Sequence, residues 1–284
     1  MIEKNRIAFL VGMPRAATTF LYHNLNLHPE LFIPFRRKSN YFSLHHSKGE
    51  DWFLAHFEDA SKSAIAIDTE TLAFIDIGLQ TPQLIKKFNT NAKVILCVRD
   101  PAAWAVSLYD QIATFDNRIG SFESFLDGHY TLIEDGLGVK FHMKGGDIYA
   151  RIKEYEELFR SNILVLKFRD VTELPLESLK EIEAFLGVSS FYDSANVITK
   201  KINSAGRHHN KYLNRLLRSE YLIAIIRFVL PRKVVLAIRW AFDGILSSGD
   251  KKLTTTQTNE EKNKRLLLAN KHFKSDIDAL EKYI

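Results

Sequence analysis

The sequence predicts an α/β fold, a parallel sheet wrapped by helices and closed by a helical C-terminal cap, and three observations carry it. Short apolar runs alternate with amphipathic stretches from Ile7 to Gly187, the pattern of strand–helix–strand units. The first run, Ile7 to Val11, is broken by Gly12 and Pro14, and a helix opens at once at Thr18. From Asn210 onward the pattern is helical only. At 284 residues the chain is read as one domain, with an α/β core over residues 1–190 and a helical part over 205–284.

The elements follow in order. After the strand Ile7–Val11, Leu21, Leu25 and Leu27 give the first helix its apolar side. A basic connection, Pro29 to Phe42, contains Arg36, Arg37 and Lys38. Trp52 to Phe57 reads as a short helix, Ser63 to Ile67 as a second strand and Pro82 to Phe88 as a helix. Lys93 to Val98 is a strong strand ended by Arg99-Asp100-Pro101. Pro101 suits the first turn of the next helix, where a missing N–H costs nothing. That helix is expected to reach Phe115. Gly120 to Gly146 is glycine-rich without a clear period and reads as irregular; a connection this long is often functional. Tyr149 to Phe159 reads as a helix, Asn162 to Phe168 as a strand, and Leu176 to Leu186 as a helix closed by Gly187. Tyr221 to Leu246 is apolar but interrupted by Arg227, Pro231-Arg232-Lys233, Arg239 and Asp243, so neither half reaches the roughly 20 apolar residues of a membrane span. Two amphipathic helices joined at Pro231 could pack on the core, lie on a membrane surface or cover an apolar acceptor.

Composition narrows the function. Hydrophobic residues at 46% and charged residues at 26% describe a globular chain, not a disordered one. A net charge of +5 suits a polyanionic partner. Cys97 is the single cysteine, so an internal disulfide or a cysteine metal cluster is excluded. Glu3, Lys4, Asn5 and Arg6 precede the first strand, with no apolar signal region. Together these suggest a cytoplasmic setting, with peripheral contact to the inner membrane face through Tyr221–Leu246.

Two stretches carry the chemistry. In Gly12-Met13-Pro14-Arg15-Ala16-Ala17-Thr18-Thr19, a strand, a tight loop and a helix follow one another. Such a loop aims successive backbone N–H groups and the positive end of a helix dipole at one spot, which suits a phosphate or sulfate. Arg15 and the Thr18 and Thr19 hydroxyls add a charge and donors. It is not a nucleoside-triphosphate loop of the Gly-Lys-[Ser/Thr] kind, because Ala17-Thr18-Thr19 stands in that frame. The second stretch is Arg99-Asp100-Pro101 followed by Ser107. A strand-end arginine and a serine two turns into the following helix can share one phosphate.

The first stretch, through Leu25, His28-Pro29 and Asn40-Tyr41-Phe42, resembles the 5′-phosphosulfate loop of sulfotransferases that use 3′-phosphoadenosine 5′-phosphosulfate (PAPS), of the bacterial and carbohydrate-acting kind. The second resembles the 3′-phosphate site of the same family. Val165 to Val171 with Phe185-Leu186-Gly187, and Asn259 to Leu280, extend the resemblance over nearly the whole chain. It implies a P-loop-like fold and a PAPS-dependent sulfotransferase. PAPS would be the sulfuryl donor, with no metal, and the acceptor a hydroxyl or amine, on a carbohydrate or glycolipid rather than nucleic acid. Pro14, Arg15, Ala16, Ala17, Thr18 and Thr19 would hold the 5′-phosphosulfate, and Arg99 and Ser107 the 3′-phosphate. Family members often have an arginine where this chain has Trp104.

The sequence departs from the family at the general base. Relatives often have a glutamate a few residues before the aromatic pair, and that place falls on Lys38. Asp68 is the first choice to replace it, ahead of Glu70 and of His45, His46 and His56. Arg15, Asp68 and Lys38 are therefore the expected catalytic set. The competing readings are a small phosphate-loop kinase and an inactive relative that keeps the nucleotide but has lost the base.

Overall fold

The computed structural model describes residues 2–34, 38–61, 64–70, 72, 80–113, 116–128, 130–134, 137–140, 143, 147–198 and 255–284. Among these, parallel strands β1 (Ile7–Gly12), β2 (Leu31–Phe32), β3 (Ile65–Glu70), β4 (Val94–Val98) and β7 (Ile163–Lys167) form one sheet in the order β2-β3-β1-β4-β7. Every residue of β1 and β4 is buried, as expected for inner strands of a parallel sheet covered on both faces. The helices are α1 (Thr18–Leu25), α2 (Glu50–Leu54), α3 (Thr81–Phe88), α4 (Pro101–Ala113), α5 (Phe122–Leu126), α6 (Asp147–Phe159), α7 (Phe168–Glu173) and α8 (Pro175–Leu186). Near the C-terminus come α9 (Thr255–His272) and α10 (Lys274–Ala279).

The strand order matters more than the strand count. From β1 the chain builds one side of the sheet (β2, β3), then crosses to the other side (β4). The loops leaving β1 and β4 therefore diverge, and a crevice opens at the carboxyl ends of these strands, where ligands of open α/β sheets sit. Register brings the two ends together, because Gly12 pairs with Cys97. A Cβ on Gly12 would lie 3.4 Å from Thr18 Cγ2 and 3.5 Å from the Cys97 amide, in ordinary van der Waals contact with both walls of the crevice.

Local chemistry explains the helix ends. Asp100 Oδ1 accepts the Ala103 N–H at 2.7 Å, capping α4 just before Pro101. Gly187 ends α8 with φ 75°, its N–H donating to Glu183 O at 2.9 Å. The buried Asp276 of α10 accepts the Tyr149 N–H at 2.9 Å, which ties the C-terminal helices to the start of α6. On the other flank Arg265 of α9 pairs with Asp110 of α4 at 2.7 Å and lies over the Tyr109 ring. The helical C-terminal part is thus joined to the core through both α4 and α6.

The structure differs from the expectation at several points, among them the short strand β2 inside the basic connection and the run of β3 past Ile67 to Glu70. The stretch from Gly120 to Gly146 is not irregular throughout: it holds α5, and β5 (Thr131–Glu134) pairs antiparallel with β6 (Leu137–Lys140). The signal was the Asp135-Gly136 dipeptide between the two runs, a hairpin-turn pair. Phe168 opens α7 rather than ending a strand. The segment Tyr221–Leu246, with its choice between core and membrane, lies outside the described residues, as do Arg36 and Arg37. Among the described residues, no helix is long and apolar enough to cross a membrane.

Candidate active site

The loop from Met13 to Ala17 is the first wall of the crevice. Ala16 N–H donates to Met13 O at 3.0 Å, closing a four-residue turn with Pro14 and Arg15 at its centre. Arg15 (φ 72°) and Ala17 (φ 60°) both take the left-handed conformation, unusual for residues with a Cβ. Alternation of left- and right-handed residues turns successive amides to one side, the geometry of an anion-binding concavity. Ala17 stands directly before α1, so the helix start adds its partial positive charge.

The second wall is the end of β4 and the start of α4. Arg99 Nη1 donates to Arg15 O at 2.9 Å, and the Arg99 N–H approaches Met13 Sδ at 3.4 Å. The guanidinium of Arg99 lies over the Phe168 ring, 4.4 Å from its centre. Arg15 reaches across the crevice, its Nε 3.2 Å from Ser107 Oγ. The structure therefore brings Arg15, Arg99 and Ser107, read from separate stretches, into one cluster. Thr18 is buried at the first turn of α1 and Thr19 is half-buried beside it.

Electrostatics make this cluster a receptor for an anion. Burial and the neighbouring Arg15 charge lower the Arg99 pKa to about 10, with Asp100 giving part of it back. Both guanidiniums stay charged at neutral pH, and their mutual repulsion is relieved when a phosphate arrives. Arg99 Nε is buried and has no hydrogen-bond partner among the described residues, a cost that an added acceptor would remove. The residues present fit a phosphate-bearing ligand such as a nucleotide.

The carboxylates expected near the acceptor are arranged differently. Asp68 and Glu70 alternate along β3 and so share a face, and both have 0% exposure. Ser39 Oγ donates to Asp68 Oδ2 at 2.8 Å and stands 3.4 Å from Glu70 Oε1. Phe42 N–H reaches Glu70 Oε1 at 2.9 Å and Ser43 Oγ reaches Oε2 at 2.7 Å. Burial raises both carboxyl pKa values, and the Asp68 charge raises Glu70 further. The pair thus pins the turn Tyr41–His45 to the end of β3, three residues after the half-buried Lys38. In this conformation the Asp68 carboxyl is sealed beneath Ser39 and presents no surface to an acceptor.

Sequence reasoning missed two groups. Trp104, noted only as a missing arginine, donates its indole N–H to Pro14 O at 2.8 Å. Ser39 and Ser43, which hold the carboxyls, carried a weak signal: they flank the aromatic pair Tyr41-Phe42. Of the histidines considered, His45 is buried, His46 exposed and His56 half-buried against the Trp52 ring.

A family model described as "Sulfotransferase domain" matches residues 6–220. The membrane-associated sulfotransferase kil1 of Dictyostelium discoideum is 30% identical over 109 residues, 35% of this chain and 21% of that protein. Mouse heparan sulfate glucosamine 3-O-sulfotransferase 5 is 27% identical over 114 residues, 39% of this chain and 32% of that protein. The chain thus spans about a fifth to a third of the length of these curated relatives. A crystal structure of a sulfotransferase from Alicyclobacillus acidocaldarius has the same fold, with TM-score 0.53 and 20% identity over 78% of this chain and 92% of that one. Because the matched stretch runs from the first strand past α8 and takes in both walls of the crevice, the chain belongs to the sulfotransferase domain family.

Proposed function

We propose that this protein transfers a sulfuryl group from PAPS to a hydroxyl or amine of an acceptor, with a carbohydrate or glycolipid as the acceptor class. The observation that carries the reading is the pair of guanidiniums at one crevice, Arg15 bridged to Ser107 and Arg99 bound to the Arg15 carbonyl. The glycan preference draws on the heparan-type relative and on the basic connection before Asn40. The name of the Dictyostelium relative supports membrane association.

In this reading the Met13–Ala17 loop, Thr18 and Thr19 hold the 5′-phosphosulfate, and Arg99 with Ser107 holds the 3′-phosphate. The acceptor oxygen forms a bond to sulfur while the bond from sulfur to the bridging phosphate oxygen breaks in line. Negative charge then grows on the leaving phosphate, as in phosphoryl transfer. Arg15 and the loop amides meet that charge where it develops. The acceptor proton must leave to a base. Asp68 serves only if the Ser39 contact opens, and Lys38, in place of the family glutamate, orients an anionic acceptor or the sulfuryl oxygens.

The test is transfer of isotopically labelled sulfate from PAPS to a panel of glycans, glycolipids and phenols, run with Arg15→Ala beside the parent protein. Labelled product, with turnover lost in Arg15→Ala by more than the loss in bisphosphate binding, supports the reading. Tight binding of adenosine 3′,5′-bisphosphate without transfer to any acceptor favours an inactive nucleotide-binding relative, for which Lys38 is the motive. Binding of ATP in preference to the bisphosphate favours a kinase.

A further inference from the structure

We propose that Trp104 is a positioning residue that selects the conformation of the phosphate loop. The turn Met13-Pro14-Arg15-Ala16 has proline at its second position, φ 72° at its third, and the Ala16 N–H to Met13 O bond of 3.0 Å, which together define a type II turn. Type II turns want glycine or asparagine at the third position, and here it is Arg15. The ordinary alternative is type I, which suits proline at the second position equally well and gives the third residue a negative φ. The two differ chiefly in the direction of the central peptide, here the one joining Pro14 to Arg15.

A trans peptide is planar, so its carbonyl and N–H point opposite ways. Holding the Pro14 carbonyl on one side therefore turns the Arg15 N–H to the other. The fully buried Trp104 indole holds that carbonyl at 2.8 Å from α4. Arg99 Nη1 holds the next carbonyl, that of Arg15, at 2.9 Å from the end of β4. Without the indole N–H, the strain at Arg15 drives the central peptide over to type I. The Arg15 N–H then leaves the concave side and the Pro14 carbonyl replaces it, presenting a negative dipole where a phosphate has to sit. The side chain of Trp104 touches neither nucleotide nor acceptor in this scheme. It acts through the loop.

The inference rests on reading the loop as a phosphate site, and the experiment keeps the two apart. Trp104→Phe removes the N–H and keeps an aromatic ring against Phe273; replacing Trp104 by 3-benzothienylalanine removes the N–H with almost no change of volume. Calorimetry with adenosine 3′,5′-bisphosphate should show affinity falling about fivefold to tenfold in both, the scale of one net hydrogen bond. In an Arg15→Gly background, where glycine takes φ > 0 freely, the same replacements should change affinity less than about twofold. Crystal structures of the two single replacements should show Arg15 with negative φ. Arg15 still at positive φ in both, or an equal loss of affinity in the Arg15→Gly background, overturns the proposal. If the parent protein does not bind the bisphosphate, the phosphate reading fails, and the φ of Arg15 in the variants still decides the role of Trp104.

Discussion

Ala17 and Asp68 are single positions where the structure sets one physical demand against another. Ala17 holds φ 60° at the entrance of α1, where a side chain costs roughly 1–2 kcal/mol and glycine costs nothing sterically. Ala17→Gly removes that strain but loosens the unfolded chain, which cancels part of the gain. The expected outcome is a melting temperature equal to or above the parent's, read by calorimetry; a clear drop would mean the methyl group packs productively. Asp68 carries the larger question. Its pKa and that of Glu70 are raised by burial, so the folded state binds more protons than the unfolded one, and stability from this pair is greatest below the ordinary carboxylate range and falls as pH rises through the raised values. The groups facing the pair are the Ser39 and Ser43 hydroxyls, the Phe42 amide and, more distantly, the Tyr155 phenol. Asp68→Asn should therefore flatten the decline in melting temperature between about pH 4 and about pH 7. Turnover adds a second reading. A fall of about 10²- to 10⁴-fold marks Asp68 as the general base, and a smaller one marks it as the carboxyl that holds the Ser39 turn.

Two elements meet at the crevice, the end of β4 and the start of α4, and they divide the work. The strand delivers Arg99 and the helix delivers Ser107, with Asp100 capping the helix between them. Arg99→Ala should weaken binding of adenosine 3′,5′-bisphosphate by about 1.5–3 kcal/mol, the range of a hydrogen bond to a charged group, and Ser107→Ala by less. Calorimetric titration checks both. Unfolding of Arg99→Ala, seen by circular dichroism, would instead assign Arg99 to structure, through its bond to Arg15 O and its stacking on Phe168. The turn Tyr41–His45 is the matching element on the other side, where Glu70 anchors two consecutive residues, Phe42 and Ser43. Glu70→Gln keeps the shape but puts an amide donor against donors. It should lower the melting temperature more than Asp68→Asn does, because Glu70 receives hydrogen bonds on both oxygens.

Over the whole molecule the predicted site requires two phosphate positions at a fixed separation. Adenosine 3′,5′-bisphosphate should raise the melting temperature without Mg²⁺, and 5′-AMP should do so far less. Ligand at 100 times its dissociation constant contributes about 2.7 kcal/mol. Equal shifts from the two nucleotides, in a thermal-shift titration, would remove the 3′-phosphate role from Arg99 and Ser107. α9 and α10 are joined to the same core through Arg265, which pairs with Asp110 of α4, and Asp276, which accepts the Tyr149 N–H of α6. Stabilisation at the crevice is therefore expected to appear as one transition shared by α9 and α10.

The parallel α/β class, the ends of β1 and β4 and the loop after β1 were legible in the chain because their causes are local: runs of apolar residues, Gly12 and Pro14 at a strand end, and Pro101 at a helix start. Residue types, their spacing and the family resemblance also nominated Arg15, Arg99 and Ser107. Their meeting depends on the Gly12–Cys97 register and on the crossing of the chain between β3 and β4, which no local pattern contains. The hairpin β5–β6 had a local signal in Asp135-Gly136 that the many surrounding glycines obscured. Trp104 and the Asp68–Glu70 pair are of another kind. An indole and two carboxyls are placed in a sequence by their chemistry, but whether they catalyse, bind or hold a turn is set by what lies beside them. Only packing brought Trp104 to the Pro14 carbonyl and closed Ser39 over Asp68, because hydrogen-bond partners distant in sequence are chosen by the fold and not by the chain around them.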